Sequence, residues 1–218
     1  MAGPKSFFLT PEIHEYVVAH GTPPDAVQQS LIDETAQLPM AMMQISPEQG
    51  AFMTLLTRAI GARQAVEVGT FTGYSALAIA RGLPDDGKLL CCDVSDEWTA
   101  IGKRAWADAG IAHKIELRLA PAVDTLRALP DEEHIDLAFI DADKPSYAVY
   151  YEELLRRLRP NGLILVDNTL WGGAIIKPEV DDESTLALRV FNDAVAADDR
   201  VDSALLTIGD GLTMLRKR

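Results

Sequence analysis

Apolar positions along this chain follow two alternating rhythms. Short, nearly continuous runs occur at "QAVEV" (64–68), "KLLCCD" (88–93), "KIELRL" (114–119), "IDLAFID" (135–141) and "GLILVD" (162–167). Between them lie amphipathic stretches of helical pattern. Runs of this kind mark strands buried on both faces, and their alternation with helices marks βαβ units in a parallel sheet. The chain closes with a helix over 184–197, then "SALLTI", the turn "GDG" and "LTMLRK", which read as a hairpin ending the sheet in an antiparallel edge strand. Before the first run the pattern is helical throughout. One helix starts at Thr10 and Pro11, a second covers Asp25 to Leu38, and a third covers "SPEQGAFMTLLTRAIG". In the third, Ser46 is the expected N-cap, Pro47 suits the first helical position, Gln49 completes a capping-box spacing and Gly61 suits the C-terminal cap. The predicted class is α/β: a Rossmann-like, doubly wound sheet with helices on both faces. A single domain of residues 1–218 follows, with 1–62 as an N-terminal helical cap region and 63–218 as the core.

Composition narrows the partners. The net charge is −13 at pH 7, so nucleic acid and anionic membrane surfaces are repelled on average and a small-molecule partner is expected. The only cysteines, Cys91 and Cys92, are adjacent in a strand and point to opposite faces, which disfavours a structural disulfide and suits a reducing, cytoplasmic setting. No apolar stretch of about 18 residues occurs that would cross a membrane.

In an open α/β sheet, ligands bind beyond the carboxyl ends of the strands. After the first strand stand Gly69, Thr70, Phe71, Thr72 and Gly73, then a helix. The glycines allow a tight turn and close backbone approach, and the helix start offers free N–H groups. The spacing is G-x-x-x-G, without the middle glycine of the dinucleotide fingerprint. Glu67 places a carboxylate where a pyrophosphate would approach. It suits a cationic ligand such as S-adenosylmethionine, and Asp93, at the next strand end, can accept the ribose hydroxyls. A glycine turn and polar caps are also ordinary needs of any α/β protein.

Two later strand ends carry more chemistry: "FIDADK" and "LVDNTLWGG". Asp141, Asp167 and Asn168 bring three oxygen donors to one rim of the sheet, and an oxygen-only set selects a hard cation, Mg²⁺ first, with Ca²⁺ or Mn²⁺ as alternatives. A divalent cation beside a lysine disfavours the ammonium form, which makes Lys144 a candidate general base. The other reading of Lys144 is a salt bridge to Asp141 or Asp143. The irregular segment from Trp171 to Ser184 is long enough for a functional loop.

These motifs, with "KSFFLTPEIHEYV", "SPEQGAFMTLL", "VEVGTFTGYSALAIA" and the terminal "DGLTMLRK", resemble the cation-dependent O-methyltransferases of the caffeoyl-CoA and catechol type, within the class I S-adenosylmethionine-dependent methyltransferases. The resemblance runs over essentially the whole chain. It implies a seven-stranded sheet with the last strand antiparallel, a homodimer, metal ligands at Asp141, Asp167 and Asn168, and a catalytic Lys144. For the methyl donor it implies Ile45, Glu67, Gly69, Thr70, Phe71, Ser75, Asp93, Ala120 and Asp143. On the acceptor side it implies Lys5, with Gly172 standing where plant relatives carry an asparagine that touches substrate; Trp171 and the loop through Ser184, with the N-terminal helices, are the candidate walls of the acceptor pocket. The expected acceptor is a phenolic molecule with two adjacent hydroxyls. A nicotinamide-dependent oxidoreductase and a non-catalytic S-adenosylmethionine-binding protein are the alternatives.

Overall fold

The computed structural model describes residues 9–218. Helix α1 (Pro11–His20) starts at Thr10, whose hydroxyl accepts the Ile13 N–H at 3.4 Å. Helix α2 (Ala26–Thr35) is capped by Asp25, with Gln28 completing a capping box. It stops short of the expected Leu38, because Leu38 precedes Pro39 and a residue before proline is pushed out of the helical region. Helix α3 (Pro47–Ala59) begins at the expected proline, and Gly61, at φ +62°, follows its end. The expected capping box at its start does not form. Ser46 makes no cap bond and donates instead to Glu48 Oε1 at 2.6 Å, while Gln49 is turned into the interior.

From there the chain alternates as expected: β1 (Gln64–Val68), α4 (Tyr74–Gly82), β2 (Lys88–Asp93), α5 (Asp96–Asp108), β3 (Ile115–Leu119), α6 (Ala122–Arg127), β4 (Ile135–Ile140), α7 (Tyr147–Arg157), β5 (Leu158–Val166), α8 (Glu183–Ala196), β6 (Val201–Leu206) and β7 (Leu212–Lys217). The seven strands form one sheet in the order β3-β2-β1-β4-β5-β7-β6. The first five are parallel, and β7 runs antiparallel to both of its neighbours.

One expectation about the hairpin needs correcting: the antiparallel strand is not at the edge. Strand β7 inserts between β5 and β6, and β6 is the border. Burial explains the order. Leu212, Thr213 and Leu215 of β7 are buried, whereas β6 exposes Asp202 and Ser203, and polar positions suit an edge strand.

Both faces of the sheet are covered, which is why the strands read as unbroken apolar runs. Ala65, Cys91 and Phe139 pack with Met53, Leu77 and Trp106 of α3, α4 and α5 on one face. Val66, Ile140 and Val166 pack with Leu126, Leu154 and Phe191 of α6, α7 and α8 on the other. Both cysteines are buried and free. The winding order of the sheet reverses between the parallel strands β1 and β4, so the crevice where ligands bind in such sheets opens at their carboxyl ends. The two loops nearly touch there: a Cβ at Gly69 would lie 1.9 Å from the Asp141 carbonyl oxygen.

Candidate functional site

The turn after β1 is held by its neighbour strand. Gly69 (φ +85°), Phe71 (φ +50°) and Gly73 (φ +82°) all adopt left-handed backbone. Asp93, at the end of β2, compensates for this: its Oδ2 accepts the Thr70 and Phe71 N–H groups at 2.8 and 2.9 Å, and its Oδ1 accepts those of Val94 and Ser95 at 2.7 and 2.8 Å. The carboxylate expected to await a ribose is thus already the clamp of the loop. Phe71 meets Trp98 edge-on, with ring centroids 5.1 Å apart.

Glu67 lies beneath this turn and is fully buried. Neither carboxyl oxygen has a hydrogen-bond partner, and the Thr70 hydroxyl is likewise unpartnered. Burial pushes the Glu67 carboxyl up to about 7; Ser75, Thr70 and Cys91 ease that shift without reaching hydrogen-bond geometry, and Asp93 adds to it. A buried polar group without a partner is unfavourable, so this spot is chemically incomplete and fits a donor group from a ligand.

The ends of β4 and β5 build the opposite wall. Lys144, only 8% exposed, donates to Asp141 Oδ1 at 3.2 Å, to the Ala142 carbonyl at 2.9 Å, to the Tyr147 hydroxyl at 2.7 Å and to Asn168 Oδ1 at 2.6 Å. Its ammonium also lies 5.4 Å from the centre of the Trp171 ring. Asn168 reaches this position from a left-handed backbone, φ +59°. Asp167 accepts from the Asn168 N–H at 2.7 Å and from Gln49 Nε2 at 2.7 Å. Burial raises the Asp141 carboxyl above its ordinary value, partly offset by Lys144. Asp167 is pushed up to about 7, first by burial and then by the Asp141 charge.

A half-buried carboxylate, Asp141, and a buried one, Asp167, that repel each other, with an amide oxygen beside them, are a donor set for a hard cation. Asp141 and Asn168 already converge on one positive charge, the Lys144 ammonium, so the residues fit such an ion. Among the described residues no trio of His, Cys, Asp and Glu side chains could hold a metal; the third donor here is an amide.

The two walls face one cavity of about 1020 Å³. Ile45, Gly69, Thr70, Phe71, Ser75, Asp93, Ala120, Asp141, Asp143, Lys144, Asp167, Asn168 and Trp171 line it; Glu67 does not, being fully buried beside the lining residues Thr70 and Ser75. Gly172 does not join them. Trp171, Gly172 and Gly173 are all left-handed, which turns Gly172 outward, where it is exposed and its N–H donates to Asp210 Oδ1 at 2.6 Å. Lys5 lies outside the described residues.

Sequence reasoning missed several lining residues. Tyr150 donates to Asp143 Oδ1 at 2.6 Å and orients it; Asp143 precedes helix α7 in extended backbone, so no helical spacing marks the pair. Trp98, Asp210, Gln49 and the methionines Met40, Met42 and Met43 also line the cavity, and nothing local in the sequence marks them.

A family model described as O-methyltransferase matches residues 20–218. The chain belongs to that family. Among the relatives of this methyltransferase, caffeoyl-CoA O-methyltransferase 2 of Zea mays is 38% identical, over 99% of this chain and 86% of that protein. A probable caffeoyl-CoA O-methyltransferase 2 of Dictyostelium discoideum is 39% identical, over 94% and 91%. Among solved structures, the O-methyltransferase TomG of Streptomyces achromogenes, in complex with SAM, superposes with a TM-score of 0.86 at 29% identity, covering 94% of this chain and 96% of that one. An O-methyltransferase of Bacillus cereus in complex with SAH gives 0.87 at 30% identity, covering 95% and 97%. The methyltransferase assignment displaces the oxidoreductase alternative. No helix among the described residues is long and apolar enough to cross a membrane.

Proposed function

We propose that this methyltransferase transfers a methyl group from S-adenosylmethionine to one hydroxyl of a vicinal diphenol, with a divalent cation, Mg²⁺ first, held by Asp141, Asp167 and Asn168. The observation that carries the reading is that one cavity joins Thr70, whose unpartnered hydroxyl lies beside the unpartnered buried carboxyl of Glu67, to the converging oxygens around Lys144.

On the donor side, Glu67 and the Thr70 hydroxyl are free to accept from a ligand ammonium, with Ser75 beside them. The loop Gly69–Phe71 approaches the ligand with backbone alone, and Ile45, Ala120 and Asp143 contribute the surrounding walls. Asp93 receives ribose hydroxyls only by sharing lone pairs it already gives to four N–H groups. The sulfonium methyl of the donor is the electrophile, so the protein's task is to supply a phenolate and align it.

On the acceptor side, Asp141, Asp167 and Asn168 would hold a divalent cation whose charge would stabilise a phenolate, in place of the Lys144 ammonium that Asp141 and Asn168 now meet. Lys144, once it has given up an ammonium proton to solvent, takes the phenol proton at Nζ. Its neighbours Tyr147 and Asn168, at 2.7 and 2.6 Å, hold that atom at the cavity wall. Trp171 closes the wall beside it, and Met40, Met42 and Met43 offer adaptable apolar surface for an aromatic ring. Lys5 completes the acceptor reading carried by the resemblance, whereas Gly172, turned out of the cavity, drops from it.

The same reading makes residues 1–218 one domain that works as a homodimer in the cytoplasm. Two buried, unpaired thiols support a reducing setting, and the net charge of −13 disfavours nucleic acid and membrane partners. Light scattering tests the dimer. The decisive assay is methyl transfer to a panel of vicinal diphenols and matched monophenols, with Mg²⁺ and after exhaustive chelation. Transfer to diphenols that stops on chelation is expected. Equal turnover of monophenols, or full activity without metal, overturns the reading.

A further inference from the structure

Gln49 has the spacing of a helix cap and the position of something else. It stands in the first turn of α3, is 1% exposed, and points Nε2 at Asp167 Oδ2, 2.7 Å away and 118 positions along the chain. The other oxygen of that carboxylate is held by the Asn168 N–H at 2.7 Å. Both oxygens of Asp167 therefore carry one donor each, which leaves lone pairs on both for a further partner. The far side of the Gln49 amide is enclosed as well: Gly209, in the turn between β6 and β7, lies so near that a Cβ there would fall 2.5 Å from Gln49 Oε1. Packing alone would be served by an apolar side chain, as at Met53, also fully buried in α3. A buried amide is favourable only where its hydrogen bonds are met, and here the partner is a carboxylate of the cation site.

We infer that Gln49 is a positioning residue for the cation: its amide, wedged between the β6–β7 turn and Asp167, fixes the carboxylate plane so that its open lone pairs face the position shared with Asp141 and Asn168. The inference rests on the cation reading above. Partners of this kind, one bond removed from the metal, change affinity by about 10–100-fold when lost.

The test uses the full chain, with Mn²⁺ binding followed by electron paramagnetic resonance and S-adenosylmethionine binding followed by calorimetry without metal. Gln49→Met keeps length and helix propensity and removes the donor. Mn²⁺ affinity should fall about 10–100-fold while S-adenosylmethionine affinity stays within about twofold, and kcat should recover at saturating Mn²⁺. Gly209→Ala presses on the amide from the other side and should weaken Mn²⁺ in the same direction by a smaller factor. A folded Gln49→Met protein that binds Mn²⁺ like wild type, or loses both ligands equally, overturns the inference. If Gln49→Met does not fold, unchanged Mn²⁺ affinity in Gly209→Ala overturns it instead. Wild-type protein that binds no Mn²⁺ overturns the cation reading itself, a separate outcome.

Discussion

The two walls of the cavity are built from different materials. At the ends of β1 and β2 the main chain does most of the work: three left-handed residues and four N–H groups gathered by Asp93 set the loop before any ligand arrives. At the ends of β4 and β5 the order resides in side chains, with Lys144 joined to Asp141, Tyr147 and Asn168, and Gln49 joined to Asp167. The first wall offers a finished shape with unmet acceptors at Glu67 and Thr70. The second is satisfied internally by the Lys144 ammonium. Backbone-built sites are sensitive to the space around a glycine, whereas side-chain networks are sensitive to the identity of each member.

Replacing a member of the network should have the largest effect. Asp141→Asn or Asp167→Asn should lower kcat on the order of 10³-fold, because metal stabilisation of developing charge amounts to several kcal/mol, with Mn²⁺ binding lost and donor affinity retained. Near-normal turnover in both variants would remove the chemical distinction between the walls. Lys144→Met should lower kcat about 10²-fold or more, the usual range for general acid–base catalysis, again without weakening the donor. Unchanged turnover at neutral pH would leave Lys144 with only its salt-bridge role.

Glu67 tests the other wall. Glu67→Gln should weaken S-adenosylmethionine binding about tenfold or more, the loss of a charge-assisted hydrogen bond, and should leave Mn²⁺ affinity alone. Its pH behaviour has a definite sign. The folded-state carboxyl is raised to about 7 from 4.5, so between those values the folded chain holds more protons than the unfolded one, and ligand-free stability declines as pH rises through the window. Thermal melting of wild type and Glu67→Gln at pH 5 and pH 8 should show the variant gaining relative stability at the higher pH. A pH-independent difference would contradict the burial argument. The smallest effect belongs to Gly172, whose side-chain direction is open space. Gly172→Asn should move the melting temperature by less than about 4 °C, since asparagine tolerates left-handed backbone and about 1 kcal/mol corresponds to 2–4 °C at this size. A large loss of stability would mean that the outward turn is a structural hinge.

Legibility followed the same division. The runs "QAVEV" and "KLLCCD" coincide with β1 and β2 to the residue, because burial on both faces leaves no polar interruption in a strand. The glycine turn was equally plain, since Gly69 and Gly73 meet requirements that few other residues meet. Helix α2 ends short of its apolar pattern because of Pro39, a local effect present in the sequence. Gln49 was read as a cap because local spacing competes with distant contacts, and here the distant one prevailed. The exposed placement of Gly172 followed from three consecutive left-handed residues, which one glycine pair in a sequence does not announce.

Hydrophobic pattern, glycine positions and the charged residues at strand ends determined the sheet, its two-sided burial and the chemical types available at its carboxyl edge, because each reflects the needs of a few adjacent residues. Tertiary structure alone decided that β7 lies inside β6, that Asp93 is spent on its own loop and that Gln49 reaches Asp167. Those contacts join segments far apart in the chain, and their geometry depends on how the helices and strands stack, which no local pattern encodes.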